Sequence, residues 1–152
     1  MLGFTMQISS RFKIAIHIFA CIVTFEKDYK ITSDFLANSV NVNPVVIHRL
    51  LVQLKAAGLI AVQRGSGGAS IAKPLEEITF LDIYRAVECV EKDELFHFHE
   101  NPNQQCPVGR NIHNALDDKL RRVQEAMERE MEKITIADVI QDTHKCIAAE
   151  NK

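Results

Sequence analysis

The chain has 152 residues, a formal net charge of −2 and 47% hydrophobic residues. This length suits one domain, or a small domain with an appendage, and the apolar content is sufficient for a buried core. The sequence shows no apolar run near the ~20 residues of a membrane span and no secretory leader, so we expect a cytoplasmic protein without a membrane partner. Its four cysteines, at positions 21, 89, 106 and 146, are too scattered to indicate a disulfide framework or a zinc site.

The first predicted element is an amphipathic helix over Arg11–Phe25, with Ser9 or Ser10 as its cap. Apolar residues at steps of three and four predict one broad buried face, formed by Phe12, Ala15, Ile16, Phe19, Ile22 and Val23. Ser10 and Arg11 stand at the start of this helix, where backbone N–H groups and a cation suit a DNA phosphate. The alternative for both residues is a simple cap with a solvated charge.

Two short helices separated by a tight turn are predicted over residues 32–57. Thr32 caps the first helix, Asn43 caps the second, Pro44 opens it and Gly58 ends it. This is the skeleton of a helix-turn-helix, whose second helix reads the major groove of DNA with residues near its start. The residues predicted to face DNA are Asn43, Val45, Val46, His48 and Arg49.

The chemistry of these side chains leaves more than one role open. Arg49 can pair with guanine or bind a phosphate, and Asn43 can cap its helix or contact the DNA backbone. Val45 and Val46 can touch thymine methyl groups or pack in the core. Helical spacing also predicts a shared apolar side for Val46, Leu50, Leu54 and Ala57.

A glycine-rich hairpin is predicted directly after the second helix. Leu59–Val62 and Ala69–Ala72 form its strands, and Arg64 and Ser66 lie in the tip between them. Such a hairpin is the wing of a winged helix, so Arg64 is predicted to enter the minor groove and Ser66 to contact phosphate. The alternative is a hairpin that only covers the core.

Charge is divided unevenly along the chain. Residues 1–75 contain eight Lys or Arg against three Asp or Glu, or +5, which leaves ten basic and 17 acidic residues, or −7, for the remainder. The positive half is the predicted winged helix, as expected where double-stranded DNA is the partner.

Four stretches, taken in order, resemble the Rrf2 family of bacterial winged-helix regulators: MQISSRFKIAIHI, NPVVIHRLLVQLKAAGLI, RGSGGASIAKPLEEITFLDIYRAVE and CPVGRNIH. The resemblance extends over residues 6–140 and implies a mainly α fold with a small β wing and a long dimerisation helix. It also implies a homodimer, most often a repressor, that binds a near-palindromic DNA operator. The family includes the iron–sulfur cluster regulator and the cysteine-metabolism repressor.

A helix over Phe80–Glu91, capped by Thr79, is predicted to lead into a loop that ends near Arg110. In cluster-binding relatives this loop carries three closely spaced cysteines, whereas here it has only Cys106, so we expect neither a cluster nor a metal. Cys106 is instead the candidate sensor, because the start of a helix favours the thiolate that oxidants attack. The alternatives are an inert cysteine, or a metal or cluster held by Cys106 with His97, His99 and a fourth ligand from Glu100 or a partner subunit.

A long amphipathic helix is predicted over Gly109–Ile134. Steps of four and three define its apolar stripe, which consists of Ile112, Leu116, Leu120, Val123, Met127, Met131 and Ile134. A helix of this length outgrows one small core, so the stripe from Ile112 to Met131 predicts a twofold partner helix rather than packing within one chain. A short helix over Thr135–Ile140, capped by Thr135, and a loosely held tail over Gln141–Lys152 are expected to follow.

The sequence thus predicts a winged-helix domain over 1–75, a connecting helix and sensor loop over 76–108, and a dimerisation helix with its tail over 109–152. We expect a DNA-binding regulator whose affinity is controlled through the Cys106 loop by thiol oxidation. Control by an iron–sulfur cluster, a metal, a small ligand or a protein partner is the alternative. A small-molecule enzyme is disfavoured, because the chain shows no nucleophile–base pair at motif spacing, phosphate-binding loop or zinc signature.

Overall fold

The computed structural model describes residues 10–64, 67–88 and 101–152. These residues form six α-helices and one hairpin: α1 (Ser10–Phe25), α2 (Ser33–Val40), α3 (Pro44–Ala56), β1 (Ile60–Val62), β2 (Ala69–Ile71), α4 (Phe80–Val87), α5 (Pro107–Lys133) and α6 (Ile136–Glu150). A single 3-10 turn, Leu75–Glu77, joins the hairpin to α4. No helix in these ranges is long and apolar enough to span a membrane.

Helix α1 lies at the centre and packs against α2, α4, α6 and β2. Its buried residues are Ala15, Ile18, Phe19, Cys21 and Ile22. The predicted face was partly wrong, because Ile18 is fully buried while Ile16 and Val23 are only half-buried at its edge. Contacts on several sides of α1 explain this, since a helix surrounded by neighbours buries more than one stripe. Ser10 is a helical residue rather than the cap, and Ser9, the other candidate, lies outside the described residues.

Local capping fixes the helix-turn-helix as predicted. The Thr32 hydroxyl accepts the Phe35 N–H at 3.1 Å, and Asn43 Oδ1 accepts the Val45 N–H at 2.9 Å. Asn41 ends α2 in the left-handed region with φ 61°, where asparagine is tolerated. Gly58 has φ +76° and follows α3, as a glycine at a helix end does.

The buried side of α3 differs from the predicted one. Its buried residues are Ile47, Leu50, Leu51 and Leu54, whereas Ala57 is exposed and Val46 is half-buried against the core. Ala57 follows the last helical residue as the C-cap, so it no longer shares the helical periodicity. Leu50 and Leu54 are buried as predicted, and Ile47 and Leu51 extend the buried face beyond the predicted set.

The hairpin pairs Ile60 with Ile71 and Val62 with Ala69 in antiparallel register. It is joined to the helical core because the Ala69 N–H donates to the Ile31 carbonyl at 2.9 Å. Gly68 makes this close approach possible, since a Cβ at that position would lie 2.5 Å from the Ile31 backbone nitrogen. The strands are each three residues long, one shorter than predicted.

We expect Gly68→Ala to lower the free energy of unfolding by about 1–3 kcal/mol, the usual cost of forcing extra atoms into a packed site. The clashing atoms belong to the backbone of Ile31, so side-chain rotation cannot relieve the contact. Urea unfolding measures the change, with Ser70→Ala in the following strand β2 as the control. A variant as stable as the control would show that the wing base tolerates separation from Ile31.

Helices α4 and α6 begin with matching capping boxes. Thr79 and Asp82 exchange side-chain-to-backbone hydrogen bonds at the start of α4, and Thr135 and Asp138 do the same for α6. The two starts are also joined to each other, because the Phe80 N–H donates to the Ile134 carbonyl at 2.9 Å. The reciprocal bond, from the Ile136 N–H to the Ile78 carbonyl, is 2.8 Å long. The end of α5 is therefore fixed to the start of α4.

Helix α5 begins at Pro107, two residues before the predicted start, which makes Cys106 its N-cap residue. Its final turns pack on α4 in a second small core, where Met131 meets Leu81 and Tyr84. Phe12 joins this core through edge-to-face contacts with the rings of Phe80 and Tyr84, at centroid distances of 5.6 and 6.1 Å.

The predicted loose tail is wrong. Residues 136–150 form one continuous helix, α6, so the segment from Gln141 onward is helical as far as Glu150. The helix is held against α1, and the Thr24 hydroxyl lies 3.2 Å from His144 Nε2. The predicted α4 reached Glu91, whereas the helix ends at Val87 and residues 89–91 lie outside the described ranges.

Candidate nucleic-acid interface

The outward face of α3 carries Val45, His48, Arg49 and Val52, all exposed. Their spacing of three, four and seven places them on one side of the helix, opposite the buried Ile47, Leu50, Leu51 and Leu54. Val45 is 55% exposed and Val52 is 54% exposed, so two apolar side chains flank the polar pair. Apolar contacts suit thymine methyl groups, and Arg49 suits guanine or phosphate. Sequence reasoning did not assign Val52, although the same periodicity identifies it.

Two of the predicted contact residues have structural duties. The carboxamide of Asn43 caps α3, so its Oδ1 is already engaged with the Val45 N–H. Val46 packs against the main core, which favours its core alternative over contact with thymine. Val45 is the valine that faces outward.

The start of α1 meets α3 directly. The Arg11 guanidinium donates from Nη2 to Gln53 Oε1 on α3, and both side chains are half-buried. Arg11 therefore lies next to the helix that carries Arg49 and Val52. Ser10 is exposed at the first position of α1. The contact orients α1 so that its N-terminal end and the face of α3 belong to one surface.

Arg64 follows β1 and is exposed, as the wing interpretation requires, whereas Ser66 lies outside the described residues. Beneath the wing, the turn after α1 forms a shallow cavity of about 230 Å³ with the hairpin. Lys30 and Tyr29 line it beside Gln63 and Ser70. Lys30 adds an exposed cation near the base of the wing, a residue that the sequence gave no specific reason to select.

Cys106 is exposed. It is the N-cap residue of α5, but its side chain makes no capping hydrogen bond to that helix. The loop before it folds against the first turn of that helix, with the Cys106 N–H donating to the Asn103 carbonyl at 3.2 Å. Gly109 permits this approach, because a Cβ there would lie 2.2 Å from the Asn103 carbonyl oxygen. Cys89, His97, His99 and Glu100 lie outside the described residues.

The apolar stripe of α5 is divided between two environments. Met131 is buried and Met127 half-buried in the second core, whereas Leu116 is 40% and Val123 55% exposed. Within the described part of the chain, neither buried cluster includes Ile112, Leu116, Leu120 or Val123. The stripe from Ile112 to Val123, about three turns of the helix, therefore lies outside both cores.

Cys21 is the buried thiol of α1 and donates to Ser39 Oγ on α2 at 3.1 Å. Burial raises the pKa of Cys21, and the hydrogen bond to Ser39 opposes this in part. Burial also raises the pKa of Tyr84, with further contributions from the carboxylates of Glu88 and Glu128. Both groups are therefore held in their neutral forms.

These shifts predict a loss of stability at alkaline pH. Above the ordinary thiol pKa of 9.0, an unfolded chain releases the Cys21 proton while the folded chain keeps it, so the free energy of unfolding falls as pH rises. Tyr84 adds a similar loss above its ordinary value of 10.0. We expect Cys21→Ala to remove the decline that begins near pH 9.0 and to keep the one that begins near pH 10.0, in urea titrations at each pH. An unchanged slope would show that Cys21 ionises normally.

These elements define a class of protein. A helix-turn-helix with an outward second helix, followed by a wing, is the architecture of winged-helix DNA-binding proteins. The model of the Rrf2 family, described as an iron-dependent transcriptional regulator, matches residues 8–142. The chain belongs to the Rrf2 family, and it is a transcriptional regulator with a DNA-binding fold rather than an enzyme.

Three relatives illustrate the match. The chain is 44% identical over 134 residues to a Bacillus subtilis (strain 168) protein provisionally named HTH-type transcriptional regulator YwnA, covering 88% of this chain and 97% of the relative. A crystal structure of a protein provisionally described as DNA-binding is 40% identical, with a TM-score of 0.70 over 86% of this chain and 99% of that one. CymR (YrzC), the global cysteine regulator of B. subtilis, is 18% identical with a TM-score of 0.63 over 93% and 98%, a likeness of fold alone.

The family description raises the question of iron. Within residues 10–64, 67–88 and 101–152, no three His, Cys, Asp or Glu side chains are grouped so that they could hold a metal ion. Of the ligands that the sequence offers for a metal or cluster, Cys106 lies in these ranges, whereas His97, His99 and Glu100 lie outside them. No functional step is therefore assigned to iron.

Proposed function

We propose that the protein is a repressor that binds a near-palindromic DNA operator as a homodimer. The observation that carries this proposal is the outward face of α3, with Val45, His48, Arg49 and Val52 exposed together. The half of the chain that contains it has a charge of +5, which suits phosphate neutralisation. Arg64 in the wing supplies a cation for the minor groove, and Ser10 and Arg11 suit a phosphate beside α3.

The dimer is supported by the exposed part of the α5 stripe. Leu116 and Val123 lie seven residues apart on one face of α5. Leu120 lies between them on this face, and Ile112 lies one turn before Leu116. A second copy of α5 packed along this stripe would remove these side chains from water. Two recognition helices related by a twofold axis would then read two half-sites of opposite orientation.

Selection of bound fragments from genomic DNA tests this proposal directly. We expect the purified protein to enrich sequences with inverted symmetry, and binding to weaken steeply as salt rises, because phosphate contacts release counterions. Enrichment of asymmetric single sites would contradict the dimeric mode. Failure to retain any DNA at low salt would contradict the operator itself.

We further propose that the Cys106 loop is the place where a signal acts. Cys106 is exposed beside a loop that is held tightly to α5, so a modified sulfur would alter the packing of that loop. A hydroperoxide would transfer one oxygen to the thiolate, giving a sulfenate and an alcohol or water. The change controls DNA affinity only if the modified loop favours one arrangement of the two reading heads over the other.

Cys106→Ser is expected to abolish the response of operator affinity to hydrogen peroxide, while the reduced wild type and the variant bind alike. Cys146→Ser provides the matched control, because Cys146 is also exposed but lies in α6. Fluorescence anisotropy with labelled operator measures the affinities. A wild-type affinity that peroxide leaves unchanged would end the thiol-switch proposal, and iron in anaerobically purified protein would favour control by a cluster or metal.

A further inference from the structure

An open groove of about 380 Å³ lies between α1 and α6, away from the face of α3 that carries Arg49. Its walls are largely apolar, with Ile16, Ala20 and Phe25 on one side and Val139, Thr143 and Ile147 on the other. The three α6 residues follow one another at steps of four, so they line the groove along one helix face. The volume lies in the lower part of the roughly 300–1,000 Å³ range of small-molecule sites.

Polar groups are concentrated at one place in this groove. Ser39 Oγ, from α2, accepts the hydrogen bond of Cys21 and lies 3.1 Å from His17 Nε2. Lys13 also lines the groove, and among its described lining residues none is Asp or Glu. The apolar groove, with the Lys13 cation and the hydrogen-bonding groups of His17 and Ser39, complements a molecule that has an apolar body and an anionic head.

The far wall of the groove is built in part by residues beyond the family match. That match ends at residue 142, whereas α6 continues to Glu150 and contributes Thr143 and Ile147 to the groove. The Thr24 and His144 side chains meet at 3.2 Å and join this part of α6 to α1. The shape of the groove therefore depends on this chain's own C-terminal residues.

We propose that the groove binds a small amphiphilic carboxylate, with its apolar body between α1 and α6 and its carboxylate toward Lys13 and His17. Such a ligand would meet Ser39, which belongs to the first helix of the helix-turn-helix. Its binding would then influence how α2, and with it α3, is held. This regulatory consequence rests on the proposed DNA-binding function, whereas binding of the ligand does not.

Decanoate, with 1-decanol as its uncharged counterpart, is a suitable probe for isothermal titration calorimetry on the full chain. We expect saturable binding of decanoate, weakened about tenfold or more by Thr143→Phe, which fills the groove. Gln141→Phe adds the same ring on an exposed part of α6 outside the lining residues and should bind as the wild type does.

Charge recognition is tested separately, with a variant that leaves the walls intact. Lys13→Gln should weaken decanoate several-fold but leave 1-decanol unchanged, and Lys145→Gln, on exposed α6, should affect neither. Lys13 is exposed, so its replacement keeps the fold and the result stays interpretable even if Thr143→Phe proves unstable.

Three results would overturn the site. The first is decanoate binding that does not saturate below the micelle concentration of decanoate, and the second is equal decanoate affinity in Thr143→Phe and Gln141→Phe. The third is a monomeric Thr143→Phe protein, which would identify a second copy of the chain as the occupant of the groove. Operator titrations with decanoate then address regulation: a shift in wild-type affinity that Thr143→Phe abolishes supports it, and no shift refutes it. If no operator is bound even without decanoate, the proposed function fails while calorimetry still decides the groove.

Discussion

Replacement of Val123 by Asp is expected to give a monomer whose operator affinity is at least about a hundredfold weaker than that of the wild type. Val123 is the most exposed member of the α5 stripe between Ile112 and Met131, so the substitution costs the single chain little. In a twofold pair packed along the stripe, the substitution would place an unpaired carboxylate of each copy in an apolar contact. Leu120 is a poorer choice, because it is already half-buried within the chain.

The loss of affinity follows from the coupling of two half-sites. Once one DNA-binding domain of a dimer is bound, the second domain is held near the second half-site at a high effective concentration. A monomer lacks this advantage. Analytical ultracentrifugation measures the mass of the protein, and fluorescence anisotropy measures its operator affinity. Ala115→Asp is the matched control, since it adds the same charge to α5 at an exposed position away from the stripe. A Val123→Asp protein that remains dimeric would place the twofold contact elsewhere.

The second large effect is expected at Arg49. Arg49→Ala should cost about 1–3 kcal/mol per half-site, so a dimer that carries two copies loses about 2–6 kcal/mol, or roughly 30-fold to 20,000-fold in affinity. Its exposed position on the outward face of α3 allows the guanidinium to reach a base edge without a change in the fold. The variant should unfold at the same urea concentration as the wild type.

Arg64→Ala provides the contrast that separates base reading from general attraction. A wing cation in the minor groove contributes through shape and phosphate, so its loss should weaken binding to all sequences alike and lower the salt slope. Arg49→Ala should instead relax sequence preference, which competition between operator and random DNA measures. Arg49→Lys keeps the charge but removes the planar fork. If Lys restores full preference, Arg49 binds phosphate and another side chain reads the bases.

The parts of the fold that the sequence predicted best are those set by local chemistry. Thr32, Asn43, Thr79 and Thr135 cap their helices as expected, because a cap needs only its own neighbours in the chain. The C-terminal helix was missed for the opposite reason. Residues 141–150 show no strong periodic pattern of their own, and they remain helical while α6 packs against α1.

The candidate DNA interface was predicted in outline but not in detail. Arg49, His48 and Val45 lie on the outward face of α3 as expected, whereas Val46 turns inward beside Ile47. Helical spacing placed Val46 on the apolar side of α3 while its chemistry also suited thymine, and Val46 packs on the side that the spacing predicted. The bond from Arg11 to Gln53 joins residues 42 positions apart and depends on how two helices meet, which no local pattern reports.

The paired hydrogen bonds between Ile78–Phe80 and Ile134–Ile136 give α5 the mechanics of a lever with a fixed pivot. The helix has 27 residues and is about 40 Å long, so a tilt of only about 5° at the pivot sweeps its far tip through roughly 3.5 Å. Conversely, a displacement of the N-terminal end of α5 by a few ångströms would produce only a small rotation of its C-terminal end beside α4. Helix α4 in turn packs against α3. Different chemical signals at the N-terminal end of α5 could therefore act on the same DNA-binding domain without any change in that domain's own residues.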